Sequence, residues 1–275
     1  MEKILFVVDH NGPDKVALDF ACYIAALTRS KLEGIFIDAV HSHLTSHEPF
    51  LHQEEMIGTQ KSFTFPAEPL PDLQKKIFTD ACTGKGISWL NTTDTLFSSA
   101  DIIGETRFAD LLIVSGGTSS ANLTQTAPSA FVREILSESE CPVIIAPLDF
   151  NGIDEIILAY DGSESSMYAI KQFTYLFPQF SEERVIYLEV KTSEDHDITH
   201  QEKLGEFLKM HYSAVGYKVL HGNPGDQLFA YLLGKKNVLV VIGAYGRSVI
   251  STSWRKSTAE LLLKTTSLPV FITHH

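Results

Sequence analysis

The sequence predicts an α/β protein built from two doubly wound domains. Each is expected to be a five-stranded, mostly parallel sheet with helices on both faces. Three observations carry this. Strand-like and helix-like segments alternate along the whole chain. The strands are short continuous apolar runs, as expected where both faces of a sheet are covered. The pattern also occurs twice.

The repeat is visible residue by residue. "KILFVVDHNG" at Lys3 resembles "EIILAYDGSE" at Glu155, and Asp9 and Asp161 close the two runs at an offset of 152 (161 − 9). "DLLIVSGG" at Asp110 resembles "NVLVVIGA" at Asn237, and "CPVIIAP" at Cys141 resembles "LPVFITH" at Leu268. Gly116 to Gly243 and Pro142 to Pro269 each give an offset of 127 (243 − 116 and 269 − 142). The drop from 152 to 127 places extra chain in the first half. The polar, histidine-rich, proline-punctuated stretch at about 41–72 reads as that insertion.

In the first half the expected elements are a strand at 3–8, a helix at 13–28 and a strand at 32–37. A helix near 70–83, a strand at 86–91 and a helix at 94–107 follow, then a strand at 110–115, a helix at 129–138 and a strand at 142–146. In the second half "EIILAYD" is a strand and "SSMYAIKQFTYLF" a helix. "ERVIYLEV" is a strand, and "THQEKLGEFLKMHYSA" an amphipathic helix with Leu204, Phe207, Leu208 and Tyr212 on one face. "YKVLHG" is a strand and "GDQLFAYLLGK" a helix opened by Asp226. "NVLVVIG", "STAELLLKTT" and "PVFIT" close the chain as strand, helix and strand. "PLDFNGI" breaks the pattern, so the expected domains are 1–149 and 153–275. Both end in a short apolar strand that would be an exposed edge if left alone. Pairing these strands, within one chain as a pseudo-dimer or with a second copy as a homodimer, would remove both edges.

A net charge of −12 argues against a general affinity for nucleic acid or anionic lipid. It leaves room for a local anion site made of backbone N–H groups. No apolar stretch approaches membrane-spanning length. Cys22, Cys82 and Cys141 show no CxxC spacing and read as reduced core thiols of a cytoplasmic protein.

The stretch "GAYGRSVISTSWRKSTAE", Gly243 to Glu260, is the candidate for chemistry. In a doubly wound sheet, ligands bind at the carboxyl ends of the strands where strand order reverses. Asp161 and Gly243 would flank that crevice. Gly243 and Gly246 permit close backbone approach. Ser257 and Thr258 stand where the next helix begins, and Arg247 and Lys256 add positive charge. Against this stands a plain strand-to-helix loop in which Ser257 merely caps a helix.

These segments resemble a tandem universal stress protein. The resemblance rests on "AYDGS", "HGNPGDQL", "IGAYGRS" and "LPVFI" and covers nearly the whole chain outside the insertion. The nucleotide-binding branch of that family carries Gly, two residues, Gly, nine residues, then Gly followed by Ser or Thr. Here Gly243, Gly246 and Ser257 match, while Lys256 stands at the third glycine. The resemblance implies an adenine nucleotide, ATP or a relative, in the second domain, with Mg2+ only as the nucleotide's companion. Asp161 would hold its adenine or ribose side and the Val190 backbone the adenine. Gly243, Gly246 and Ser257 would contact ribose and phosphates. Tyr160 and Ile242 at the strand ends, with Arg247, Ser248, Lys256 and Thr258 in the loop, complete the set. Lysine at the third position either obstructs the phosphates or supplies charge to them; obstruction is the expected reading. In the first half Gly246 maps to Ser119 and Ser257 to Ala130, so that half is expected to be a degenerate partner.

His41, His43, His47 and His52, with Glu48, Glu54 and Glu55, are ligand types that suit zinc. Their spacing matches no closed tetrahedral pattern, and a solvated polar insertion is the reading kept. No nucleophile elbow and no full P-loop occurs. An enzyme of ordinary turnover is not expected, at most weak ATP hydrolysis. The alternative is an interaction or scaffold module whose loops have drifted and which binds no nucleotide.

Overall fold

The structure is a computed structural model that describes residues 1–9, 12–37, 72–90, 96–118, 129–191, 200–243 and 267–273. The first half contributes β1 (Lys3–Val8), α1 (Lys15–Thr28), β2 (Lys31–Phe36), α2 (Asp72–Gly84) and β3 (Trp89–Leu90). It continues with α3 (Ser99–Thr106), β4 (Leu111–Ser115), α4 (Ala130–Glu138) and β5 (Val143–Ala146). The second half contributes β6 (Glu155–Ala159), α5 (Glu164–Leu176), β7 (Arg184–Lys191) and α6 (Gln201–Lys209). β8 (Ala214–His221), α7 (Pro224–Leu232), β9 (Val238–Gly243) and β10 (Val270–Thr273) follow, and the helix expected at "STAELLLKTT" lies outside the described residues.

The ten strands of the described residues form one sheet, in the order β3-β2-β1-β4-β5-β10-β9-β6-β7-β8. Every neighbouring pair is parallel except β5 with β10, which run antiparallel with Phe271 opposite Ile144. The expected pairing of the two final strands is therefore made inside one chain, and neither is left as an edge. The antiparallel join turns one half against the other. The carboxyl ends of β1 and β4 lie along one edge of the sheet, and those of β6 and β9 along the opposite edge.

The strands are apolar on both sides because helices cover both faces. Ile4, Phe6 and Val8 pack under α1 and α2, and Ile156, Leu158 and Tyr160 share that same core with α5 and α6. Leu5, Val7, Val240 and Ile242 point the other way, into a core with α3, α4 and α7. Among the described residues no helix is long and apolar enough to cross a membrane.

Strand pairing corrects one sequence match. Ser115 lies opposite Ala146, and Gly243 opposite Thr273. Ala146 and Thr273 are 127 apart (273 − 146), so the structural counterpart of Gly243 is Ser115, at an offset of 128 (243 − 115), and not Gly116. Burial agrees: Leu111 faces the α1 side of the sheet with Leu239, while Val238 faces the other side. Glycine identity drew the two stretches into alignment one residue out of step with their faces, and a one-residue slip turns every side chain over.

Smaller departures have local causes. α7 opens at Pro224 and not at Asp226, because the Asn223 side chain accepts from the N–H groups of Gly225 and Asp226 and proline suits the first helical position. α6 ends at Lys209, and β8 begins at Ala214, three residues before the "YKVLHG" run. β8 is the sheet's outer strand, so its exposed residues break the apolar run that sequence reading relies on. The third helix starts at Ser99, where Ser98 and Asp101 form a reciprocal capping box.

Candidate functional site

The second half reverses strand order at β6. From β6 the chain moves outward through β7 to β8, then returns to place β9 on the other flank of β6. Ala159 is paired with Ile242 on one side and with Leu188 on the other. Tyr160–Asp161, Gly243 and Glu189–Lys191 thus stand together at the carboxyl ends of three adjacent strands, the place where such sheets bind ligands.

Asp161 is held by the turn that starts α5. Its Oδ1 accepts from the Ser163 N–H at 3.0 Å and from the Ser163 hydroxyl. Ser163 Oγ in turn accepts from the Ser166 N–H at 3.1 Å and caps the helix. The Asp161 carboxylate therefore sits at the positive end of α5, a favourable place for negative charge. The Tyr160 N–H donates to Leu188 O at 2.8 Å, continuing the ladder beyond β6. The Tyr160 hydroxyl has its pKa pushed up, first by burial and then by the charges of Glu189 and Asp161. Glu189 itself is buried, 6 % exposed.

Gly243 has a steric role of its own. A Cβ there would run into the Ser165 carbonyl oxygen, with Ser166 Cα only 2.7 Å away. Only glycine lets the end of β9 lie so close to the first turn of α5. The first half is looser: a Cβ on Gly116 would meet Ile145 Cγ2 at an ordinary 3.4 Å, and its structural counterpart Ser115 already carries one.

Of the eleven candidate residues, the structure brings Tyr160, Asp161, Val190, Ile242 and Gly243 together at one sheet edge. Gly246, Arg247, Ser248, Lys256, Ser257 and Thr258 lie outside the described residues, as do His41, His43, His47 and His52. Among the described residues no group of three or more His, Cys, Asp or Glu could hold a metal ion. Sequence reading passed over Ser163, which fixes Asp161, and Glu189, which charges the crevice. An Asp-x-Ser before an amphipathic helix is a legible capping signal; a glutamate inside a strand run carries no signal that it will be buried at a crevice.

A cavity of about 220 Å³ lies at the far edge, by the amino ends of β9 and β10, lined by Phe150, Leu232, Lys235 and Pro269 among others. Its Lys235 is already committed, 2.8 Å from Glu155 Oε2 and 4.7 Å from the Tyr231 ring centre. That lysine braces the start of two strands.

Several solved structures share the fold. A universal stress protein from Archaeoglobus fulgidus DSM 4304 superposes with a TM-score of 0.64 at 15% identity, over 99% of this chain and 98% of that one. The chain has the universal stress protein fold. A putative universal stress protein from Pseudomonas aeruginosa UCBPP-PA14 gives 0.58 at 14% identity, over 100% and 93% of the two chains. A functionally unknown protein from Pseudomonas aeruginosa PAO1 gives 0.57 at 14%, over 100% and 92%. No protein-family model and no curated protein matches the chain by sequence. The first of these likenesses runs over nearly the whole of both chains.

Proposed function

We propose that the second half binds an adenine nucleotide such as ATP at the carboxyl ends of β6, β7 and β9, and that binding is its output, with at most weak hydrolysis. In this reading the chain comprises two units, 1–149 and 153–275, in a stress-response protein whose second unit is the sensor and whose first is a degenerate partner. The observation that carries the reading is the placement of Asp161 and Gly243 on either side of the strand-order reversal, with Asp161 oriented by Ser163. The described residues suit the nucleoside end of such a ligand. Asp161 offers an acceptor for ribose hydroxyls or an adenine amino group, and the Val190 backbone lies one strand away. They supply carboxylates at this edge, which repel phosphates, so the phosphates would fall to the residues the sequence offers in 244–258, Gly246, Arg247, Ser248, Lys256, Ser257 and Thr258, with any Mg2+ carried by the nucleotide.

A second reading, an interaction module without nucleotide, has its own support: Gly243 and Asp161 each perform a structural task at the start of α5. One experiment separates them. Small molecules released by denaturing the purified chain are identified by mass spectrometry, and ATP and adenosine are titrated into the ligand-free protein. A released adenine nucleotide, or one saturable ATP site, supports the first reading; an empty protein that takes up neither supports the second.

A further inference from the structure

We propose that the pocket between α6 and the outer strands β7 and β8 binds a small organic ammonium ion, a primary amine carried on an apolar chain or ring. The pocket has a volume of about 590 Å³, and Tyr187, Tyr217, Val215, Gly205, Glu202 and Glu206 line it. It opens beside β8 because the sheet ends there: β8 pairs with β7 and with no strand beyond it among the described residues. Tyr187 lies opposite Tyr217 in register, and their ring centres are 5.9 Å apart. Glu202 and Glu206 stand four residues apart on α6 and so share one helix face.

Two observations point to a ligand. The first is the Tyr187 hydroxyl. The residue is only 4 % exposed, and among the described residues nothing hydrogen-bonds that hydroxyl. A buried hydroxyl left without a partner is costly. This one lies under Gly205, where a Cβ would come within 3.4 Å of it. Glycine inside a helix is disfavoured relative to alanine, and here it keeps the hydroxyl uncovered. The second is charge. Like charges one helical turn apart repel, and among the described residues no ion pair engages Glu202, Glu206 or the nearby Lys209. An ammonium ion matches each group. Its N–H groups donate to the two carboxylates and to Tyr187 Oη. Its charge lies against the exposed ring of Tyr217, and its apolar part rests on Val215. Hydrated Mg2+ keeps its water shell and gains nothing from that apolar side. The pocket lies on the flank of β7 and β8, outward of the crevice at Asp161 and Gly243, so it does not depend on the nucleotide reading.

The test titrates spermidine and phenethylamine into the intact protein by calorimetry. It is run in about 0.15 M sodium chloride, which screens diffuse attraction to the chain's negative charge. One saturable site is expected for at least one amine, and the tighter of the two assigns the apolar part as chain or ring. Glu202→Gln combined with Glu206→Gln should weaken binding at least about tenfold, and Tyr187→Phe about three- to tenfold. Gly205→Ala should fold at least as well, because alanine favours the helix, and should weaken binding by covering the hydroxyl. Glu134→Gln combined with Glu138→Gln, the same spacing on α4, should change nothing. Uptake of neither amine would overturn the proposal. So would unchanged affinity in the Glu202 and Glu206 double variant, an equal loss in the α4 double variant, or displacement of the amine by an equal concentration of Mg2+.

Discussion

The two halves repeat one fold, yet they join their first strand to their first helix differently. Residues 9–14, six of them, link β1 to α1, whereas residues 160–163, four of them, link β6 to α5. In the first half Gly12 takes a positive φ of 104°, its N–H returns to Asp9 O at 2.8 Å, and Asp14 caps the helix. In the second half Ser163 caps the helix and the Asp161 side chain closes the turn. The shorter link draws α5 down against the end of β9, and that closeness is what demands glycine at 243. α1 meets β4 less closely than α5 meets β9, and position 115 carries serine. The same strand-ending aspartate therefore orders a tight crevice in one half and a looser turn in the other.

The sharpest way to break this comparison is to give Gly243 a side chain. Gly243→Ala should destabilise the protein by about 2–3 kcal/mol, the cost of forcing a methyl into backbone atoms. Gly116→Ala and Ser115→Ala should stay within about 0.5 kcal/mol. Urea unfolding of the three variants checks this, and equal costs in both halves would undo the argument.

Tyrosines give a second contrast. Burial pushes the pKa of Tyr212 up to about 12, and those of Tyr160 and Tyr187 upward as well, against Tyr23 alone in the first half. A raised phenol keeps its proton in the folded state while the unfolded chain loses it above pH 10. The stability it contributes is thus complete below pH 10 and is lost as pH rises toward 12. Tyr212→Phe should remove roughly 2 kcal/mol of the loss between pH 9 and pH 12. It should also cost about 1 kcal/mol at neutral pH through the lost 3.0 Å bond to Thr174 Oγ1. Urea midpoints against pH measure both, and Tyr23→Phe should flatten the curve less.

The smallest effects concern the loop ends. Asp161→Ala should lower stability by about 1 kcal/mol through the lost turn. Lys256→Ala should leave ATP affinity within about threefold if the lysine obstructs the pocket. A contacting lysine would instead lose about tenfold or more for ATP alone. Parallel titrations with ATP and adenosine decide between these.

The fold was legible because its strands are buried on both faces and so read as unbroken apolar runs, such as Ile4–Val8 and Ile156–Leu158. β8 shows the converse: at an outer edge of the sheet it starts on exposed and half-buried residues that form no apolar run, so Ala214 reads as the end of the preceding helix and the strand as starting at Tyr217. The Gly116 match failed because identity of one residue outweighed the face parity of its neighbours, a property visible only once strands are paired. The crevice was legible at Asp161 and Gly243, whose residue types announce a turn and a close approach. The reason for that closeness was not, because the Ser165 backbone is brought there by a link two residues shorter, and no local pattern records it.

The central claim, that the second half holds the nucleotide, is tested most directly by calorimetric titration of ATP into the intact chain and into Asp161→Ala and Asp9→Ala. The account predicts one site in the parent chain, an affinity at least about tenfold weaker in Asp161→Ala, and no change in Asp9→Ala. Binding that survives Asp161→Ala but is lost in Asp9→Ala would contradict it, as would a parent chain that takes up no ATP.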